Sequence, residues 1–167
     1  MKPYFLYYDY IYIFFINYLT KYSLCANKIT GGCFMEYIII TNNSKVYNFY
    51  KETNEVLFYQ KKDLIDLLEI IREKIYAGHI LLSDPILSTL DNLDNPYKSV
   101  AISKADFLGE ILIRDDSQKK MIDSAIKIAK KLPFRKIISD TEEAELEKYR
   151  FIDLNILTEF IKRLDNF

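Results

Sequence analysis

Residues 36–44, Glu36-Tyr37-Ile38-Ile39-Ile40-Thr41-Asn42-Asn43-Ser44, join a β-branched apolar run to a cluster of helix-capping side chains. The run lacks a two-residue alternation, which predicts a strand buried on both faces. Asn42-Asn43-Ser44 then offers side-chain oxygens to the first free N–H groups of a short helix over about 45–50. Glu55-Val56-Leu57-Phe58-Tyr59 reads as a second strand. Strand, helix and strand in that order predict a parallel pair with its helix on one face.

The pattern continues outward. Leu64, Leu67, Leu68, Ile71 and Ile75 fall on one face of a helix capped by Asp63 and ended at Ala77 by Gly78. His79-Ile80-Leu81-Leu82 predicts a third strand, broken by Ser83-Asp84-Pro85, and Ser99-Val100-Ala101-Ile102-Ser103 a fourth. Asp115-Asp116-Ser117 caps a helix with the stripe Ile122, Ala125, Ile126, Ala129 and Leu132, stopped by Pro133. Thr141-Glu142-Glu143 starts another, with acids where the helix dipole favours them. Asp153 is read as the cap of a last helix carrying Leu157, Phe160, Ile161 and Leu164. The expected fold is α/β: a small, mainly parallel sheet of about four strands flanked by helices, with C-terminal helices.

The chain has 167 residues and a net charge of −1, so no global basic field exists to hold nucleic acid. Residues 1–34 differ from the rest: 11 of the 34 are aromatic, against 14 of the following 133. The run Tyr4–Leu19 is 16 residues long and contains Asp9, short of the roughly 20 apolar residues of a spanning helix. A signal peptide is disfavoured too, because Lys2 is the only charge before the run and no small-x-small site follows it. Tyr, Ile, Phe, Asn and Lys are what AT-rich codons spell. Codons for Thr30-Gly31-Gly32 can contain a ribosome-binding sequence at a workable distance from Met35. Residues 1–34 are therefore expected to be an upstream region translated in frame, with a hydrophobic membrane-associating segment as the alternative. Residues 35–167 form a single domain, expected in the cytoplasm. Cys25 and Cys33 lie in the leader and carry no chemistry in this reading.

From Met35 onward there is no cysteine and one histidine, His79, so a zinc or iron site is disfavoured. No glycine lies near Thr41–Ser44, which excludes a dinucleotide fingerprint and a phosphate loop. Ser83 and Asp84 follow His79, but no nucleophile elbow accompanies them. No catalytic residue, metal or cofactor is assigned. The simplest roles are structural: His79 opens a strand, Thr41, Asn42 and Asn43 cap a helix, and Lys98 sits in a turn. The functional alternative places Thr41, Asn42, Asn43, Ser83 and Asp84 at one edge of a parallel sheet. Free helix N–H groups would favour an anion there, and Lys98 would be the counter-charge if its loop folds back. His79 is the weakest member, because it belongs at the opposite end of its strand.

Ile40-Thr41-Asn42-Asn43 with Val46 and Tyr50, Gly78-His79-Ile80-Leu81-Leu82 with Pro85 and Leu87, and Asn95-Pro96-Tyr97-Lys98-Ser99 with Ile102-Ser103 recur in one order. Phe151-Ile152-Asp153-Leu154 with Leu157 closes the series. In this series the chain resembles the GrdX family, over about 36–167. Those small proteins are encoded beside the components of the glycine, sarcosine and betaine reductases of amino-acid-fermenting anaerobes. Residues 105–114 read as a local extension, and 1–34 have no counterpart. The resemblance implies an accessory or regulatory protein of the reductase system; reductase components are the expected partners, and the site reading adds a small anion. It does not imply catalysis, since the selenium and thiol chemistry belongs to other subunits. The alternatives are an enzyme acting on a small carboxylate or phosphate ester through His79 and Lys98, and a membrane-tethered domain using residues 4–19.

Overall fold

The computed structural model describes residues 36–85, 94–104, 116–131 and 136–164. These lie in one compact unit, Glu36–Asn166. The expectations for 1–34 and Met35, for Leu87, for Asp115, Leu132 and Pro133, and for 105–114 fall outside the described residues.

Strand β1 (Tyr37–Thr41) is followed by helix α1 (Ser44–Tyr50) and strand β2 (Glu55–Phe58). Asn43 is the cap of α1, its side chain accepting from the Lys45 N–H. β1 and β2 pair in parallel, Ile38 opposite Glu55 through Thr41 opposite Phe58. Helix α2 (Leu64–Tyr76) starts from Asp63, whose carboxylate accepts from the Asp66 N–H. It ends at Gly78, whose φ of 105° lies in the left-handed region that glycine enters without a Cβ clash. The His79 N–H then reaches the Lys74 carbonyl, and the Gly78 N–H the Ile75 carbonyl. That is the paired closure by which a glycine stops a helix.

Strand β3 (Ser99–Ser103) corrects the expected topology. The sheet has three described strands in the order β2-β1-β3, and β3 runs antiparallel to β1, Thr41 opposite Ser99 and Tyr37 opposite Ser103. It is therefore mixed, where four mainly parallel strands were expected. The predicted third strand, His79–Leu82, keeps a single antiparallel bridge, Leu81 to Ile102 on β3. Side chains take over the ladder on both sides of it. Ser103 Oγ accepts from the Ile80 N–H, Ser83 Oγ accepts from the Ala101 N–H, and Gln118 holds both the N–H and the carbonyl of Leu81. The segment is apolar enough to lie against the sheet but is satisfied without becoming a regular strand.

Helix α3 spans Ser117–Lys131, and α4 runs unbroken from Glu143 to Leu164. A second correction follows: Asp153 caps nothing. It lies inside a 22-residue helix, on the buried stripe Leu146, Tyr149, Asp153, Leu154, Leu157 and Ile161.

Alternation along β1 separates two cores. Ile38 and Ile40, with Val100 and Ile102 of β3, meet Leu67, Leu68 and Ile71 of α2 and Ile122, Ala125 and Ala129 of α3. Ile39 faces the other way, onto Val46 and Tyr50 of α1 and Leu154, Leu157 and Ile161 of α4. The sheet thus lies between α2/α3 and α1/α4. Each buried Leu or Ile contributes about 1.5–3 kcal/mol, which holds helices too short to persist alone. Thr41 continues the alternation toward the α1/α4 side, and that sets the position of the site.

Candidate functional site

At the end of the sheet where Thr41 meets Ser99, polar side chains are buried together: Thr41, Asn42, Asn43, Lys98, Ser99 and Asp153. Each has an assigned place. Asn42 ties three segments. Its Nδ2 donates to the Lys62 and Pro96 carbonyls, both at 3.0 Å, and its Oδ1 accepts from the Lys98 N–H at 2.8 Å. The Asn42 N–H in turn reaches the Lys98 carbonyl at 3.4 Å. The loop before β3 does fold back, as the sequence reading required.

A directed chain of donors ends on Asp153. The Asn43 N–H donates to Thr41 Oγ1, which lies 2.6 Å from Ser99 Oγ, and the Ser99 hydroxyl donates to Asp153 Oδ2 at 2.6 Å. Since the Ser99 proton is committed to Asp153, Thr41 is the donor to Ser99. Asp153 also accepts from the Ser99 N–H on Oδ1 and from Asn43 Nδ2 on Oδ2. Asn43 Nδ2 has a second acceptor, the Arg150 carbonyl. Burial pushes the Asp153 carboxyl above its ordinary range, while the Ser99 and Asn43 hydrogen bonds and the Lys98 charge pull the other way.

Lys98 is different. The residue is only 7% exposed, although it carries a cation. Burial pulls its affinity for a proton down, and the charges of Asp84 and Asp153 oppose that. Helix α4 clamps the adjoining loop. Asn95 Nδ2 donates to the Tyr149 carbonyl, Asn95 Oδ1 accepts from the Tyr97 N–H, and the Arg150 guanidinium lies 5.2 Å from the Tyr97 ring centre. Tyr149 donates its hydroxyl to Asp94, and burial with that carboxylate raises its phenol above the ordinary tyrosine range.

Of the seven residues expected at a site, Thr41, Asn42, Asn43 and Lys98 come together. Ser83 bonds the Ala101 N–H, and Asp84 follows it close enough to act on Lys98. The 79–83 segment therefore runs in the direction of β1, with β3 between them. His79 lies at the far end, with Nδ1 2.9 Å from the Ser103 carbonyl. A carbonyl can only accept, so Nδ1 carries the hydrogen. Sequence reading missed Asp153 as a member. The signal was its spacing, four after Tyr149 and four before Leu157, which places it on the buried stripe.

Residues 38–162 match the model of the GrdX-like protein family. The chain belongs to the GrdX-like family. The match spans every strand and helix described above except the first residue of β1 and the last two of α4. No curated protein and no solved structure matches the chain. Among the described residues no helix is long and apolar enough to cross a membrane, and no group of three or more His, Cys, Asp or Glu side chains is placed to hold a metal.

Proposed function

We propose that this GrdX-like protein is a non-catalytic accessory or regulatory component of the glycine, sarcosine or betaine reductase system, responding to a small anion bound at Lys98. The observation that carries the reading is the burial of Lys98, 7% exposed as a residue and held by its backbone to Asn42. Burial makes that cation costly to keep charged, and an incoming carboxylate or phosphate oxygen would relieve the cost. The neighbouring polar groups are already committed to one another. Asn42 thus serves to place Lys98 and does not itself touch the ligand. The link to the reductases rests on the family, whose members are encoded beside those enzymes.

An enzyme that uses His79 together with Lys98 has no comparable support, because the two lie at opposite ends of β3. Calorimetric titration of the full chain with glycine, acetyl phosphate and inorganic phosphate tests the proposal. Binding of at least one is expected, weakened tenfold or more by Lys98→Ala and by Asn42→Ala. Binding that both substitutions leave unchanged would eliminate this site.

A further inference from the structure

The two edges of the sheet are finished differently. The outer side of β3 is covered: the Leu82 N–H donates to the Ala101 carbonyl, the Ser103 N–H to the Ile80 carbonyl, and Ser83 Oγ accepts from the Ala101 N–H. β2 is the opposite edge, paired only with β1 among the described residues. The Tyr59 N–H donates to the Thr41 carbonyl at 2.8 Å, so the backbone groups of Tyr59 point toward β1. The two-residue period of a strand gives Leu57 and Glu55 the same direction, and it aims the N–H and carbonyl of Val56 and Phe58 outward. Among the described residues no backbone group meets them there. Val56, Leu57 and Phe58 are each only partly buried, and the strand carries no proline, bulge or lysine, the devices that keep other edges apart.

Charge decides what fits this edge. Glu52 and Glu55 lie at the start of the strand and Lys61 and Lys62 just beyond its end, all of them exposed. Lys51 at the first end and Asp63 at the second reduce these charges without cancelling them. An antiparallel copy of the same segment sets each acidic end beside a basic one, whereas a parallel copy would set like charges together. We infer that β2 pairs with β2 of a second copy of this chain, antiparallel about a two-fold axis through Leu57. Val56 of each copy then exchanges both backbone hydrogen bonds with Phe58 of the other, which satisfies every outward group of the strand. Leu57 meets its counterpart on the α2/α3 face. Val56 meets Phe58 on the α1/α4 face, where Phe58 already stacks on Tyr47 at 4.8 Å. The side chains left half-buried in a single chain are covered, and the two sheets become one.

Sedimentation equilibrium and residue-resolved amide exchange of the full chain test this. Monomers are expected to pass to dimers as concentration rises. The Val56 and Phe58 N–H groups should slow in step with dimer formation, while the Tyr59 N–H, bonded to β1, exchanges slowly throughout. Lys62→Glu should weaken the dimer about tenfold, the scale of two exposed charge pairs, and so should Glu52→Lys. Mixing the two variants should restore association, because one chain is then basic at both ends of the strand and the other acidic. A chain that stays monomeric, dimers in which Val56 and Phe58 exchange as fast as in the monomer, or dimers indifferent to both substitutions would overturn the inference.

Discussion

Lys98 and Lys104 flank β3, one just before Ser99 and the other just after Ser103. At the Lys104 end the ammonium is half exposed and shared between Glu36 at 3.4 Å and Glu55 at 3.6 Å. At the Lys98 end two carboxylates, Asp84 and Asp153, also act on the ammonium, but there the lysine is buried. Asp153 is occupied by N–H and O–H donors that order the ends of β1 and β3. The contrast teaches that one lysine between two acids is screened by water at one end of the strand and withdrawn from it at the other. What counts is whether their lone pairs are still available and whether water can reach the charge.

The most damaging way to disturb the Lys98 end is Asp153→Ala. It leaves Ser99 and Asn43 without their acceptor and removes one of the opposite charges facing Lys98. A loss of about 3–5 kcal/mol in urea denaturation is expected. A loss below about 1 kcal/mol would mean that the carboxylate does not organise this end. Leu68→Ala sets the scale from the apolar core. Leu68 is fully buried between α2 and the sheet, so its truncation should cost roughly 2–5 kcal/mol. A cost under about 1 kcal/mol would instead place that stripe against solvent.

Lys98→Met should stabilise the chain, by about 1 kcal/mol or more at neutral pH, because it removes a buried charge while keeping the stem. The pH dependence has a definite sign. Lys98 in the folded chain loses its proton below the ordinary 10.5, so between its folded value and 10.5 the unfolded chain holds the extra proton. Wild-type stability therefore gains from Lys98 as pH rises through that window. The advantage of Lys98→Met should be largest below the window and shrink across it, which paired melts from neutral to alkaline pH will check. An advantage that grows with pH would contradict the account. The smallest effect belongs to Lys104→Ala: an exposed pair is worth little, and a change within about 0.5 kcal/mol is expected from the same denaturation measurements. A larger loss would show that the two ends differ less than their burial suggests.

Much of this was legible in the sequence. A cap within Asn42–Ser44, Gly78 as a stop and the α2 stripe follow from local chemistry; the cap is Asn43 of that cluster, and the stop and stripe appear at the expected residues. The convergence of Asn42 with Lys98 was legible too, as a condition on how one loop folds. Strand direction was not. An apolar run such as Ser99–Ser103 has the same pattern whether it pairs parallel or antiparallel, and only the chain path decides. Asp153 misled for a related reason. A mid-helix aspartate is costly when exposed and so reads as a cap, unless its partners across the sheet are known. Those partners, Asn43 and Ser99, are more than fifty residues away in sequence.

The central claim, that Lys98 is a buried lysine whose charge is costly until an anion binds, is most directly tested by nitrogen-detected NMR titration of its side chain in the full chain. The account predicts that the Lys98 nitrogen titrates below the ordinary lysine value of about 10.4, and that an anion which binds moves it upward. Titration at or above the ordinary value, unchanged by glycine, acetyl phosphate or phosphate, would contradict it.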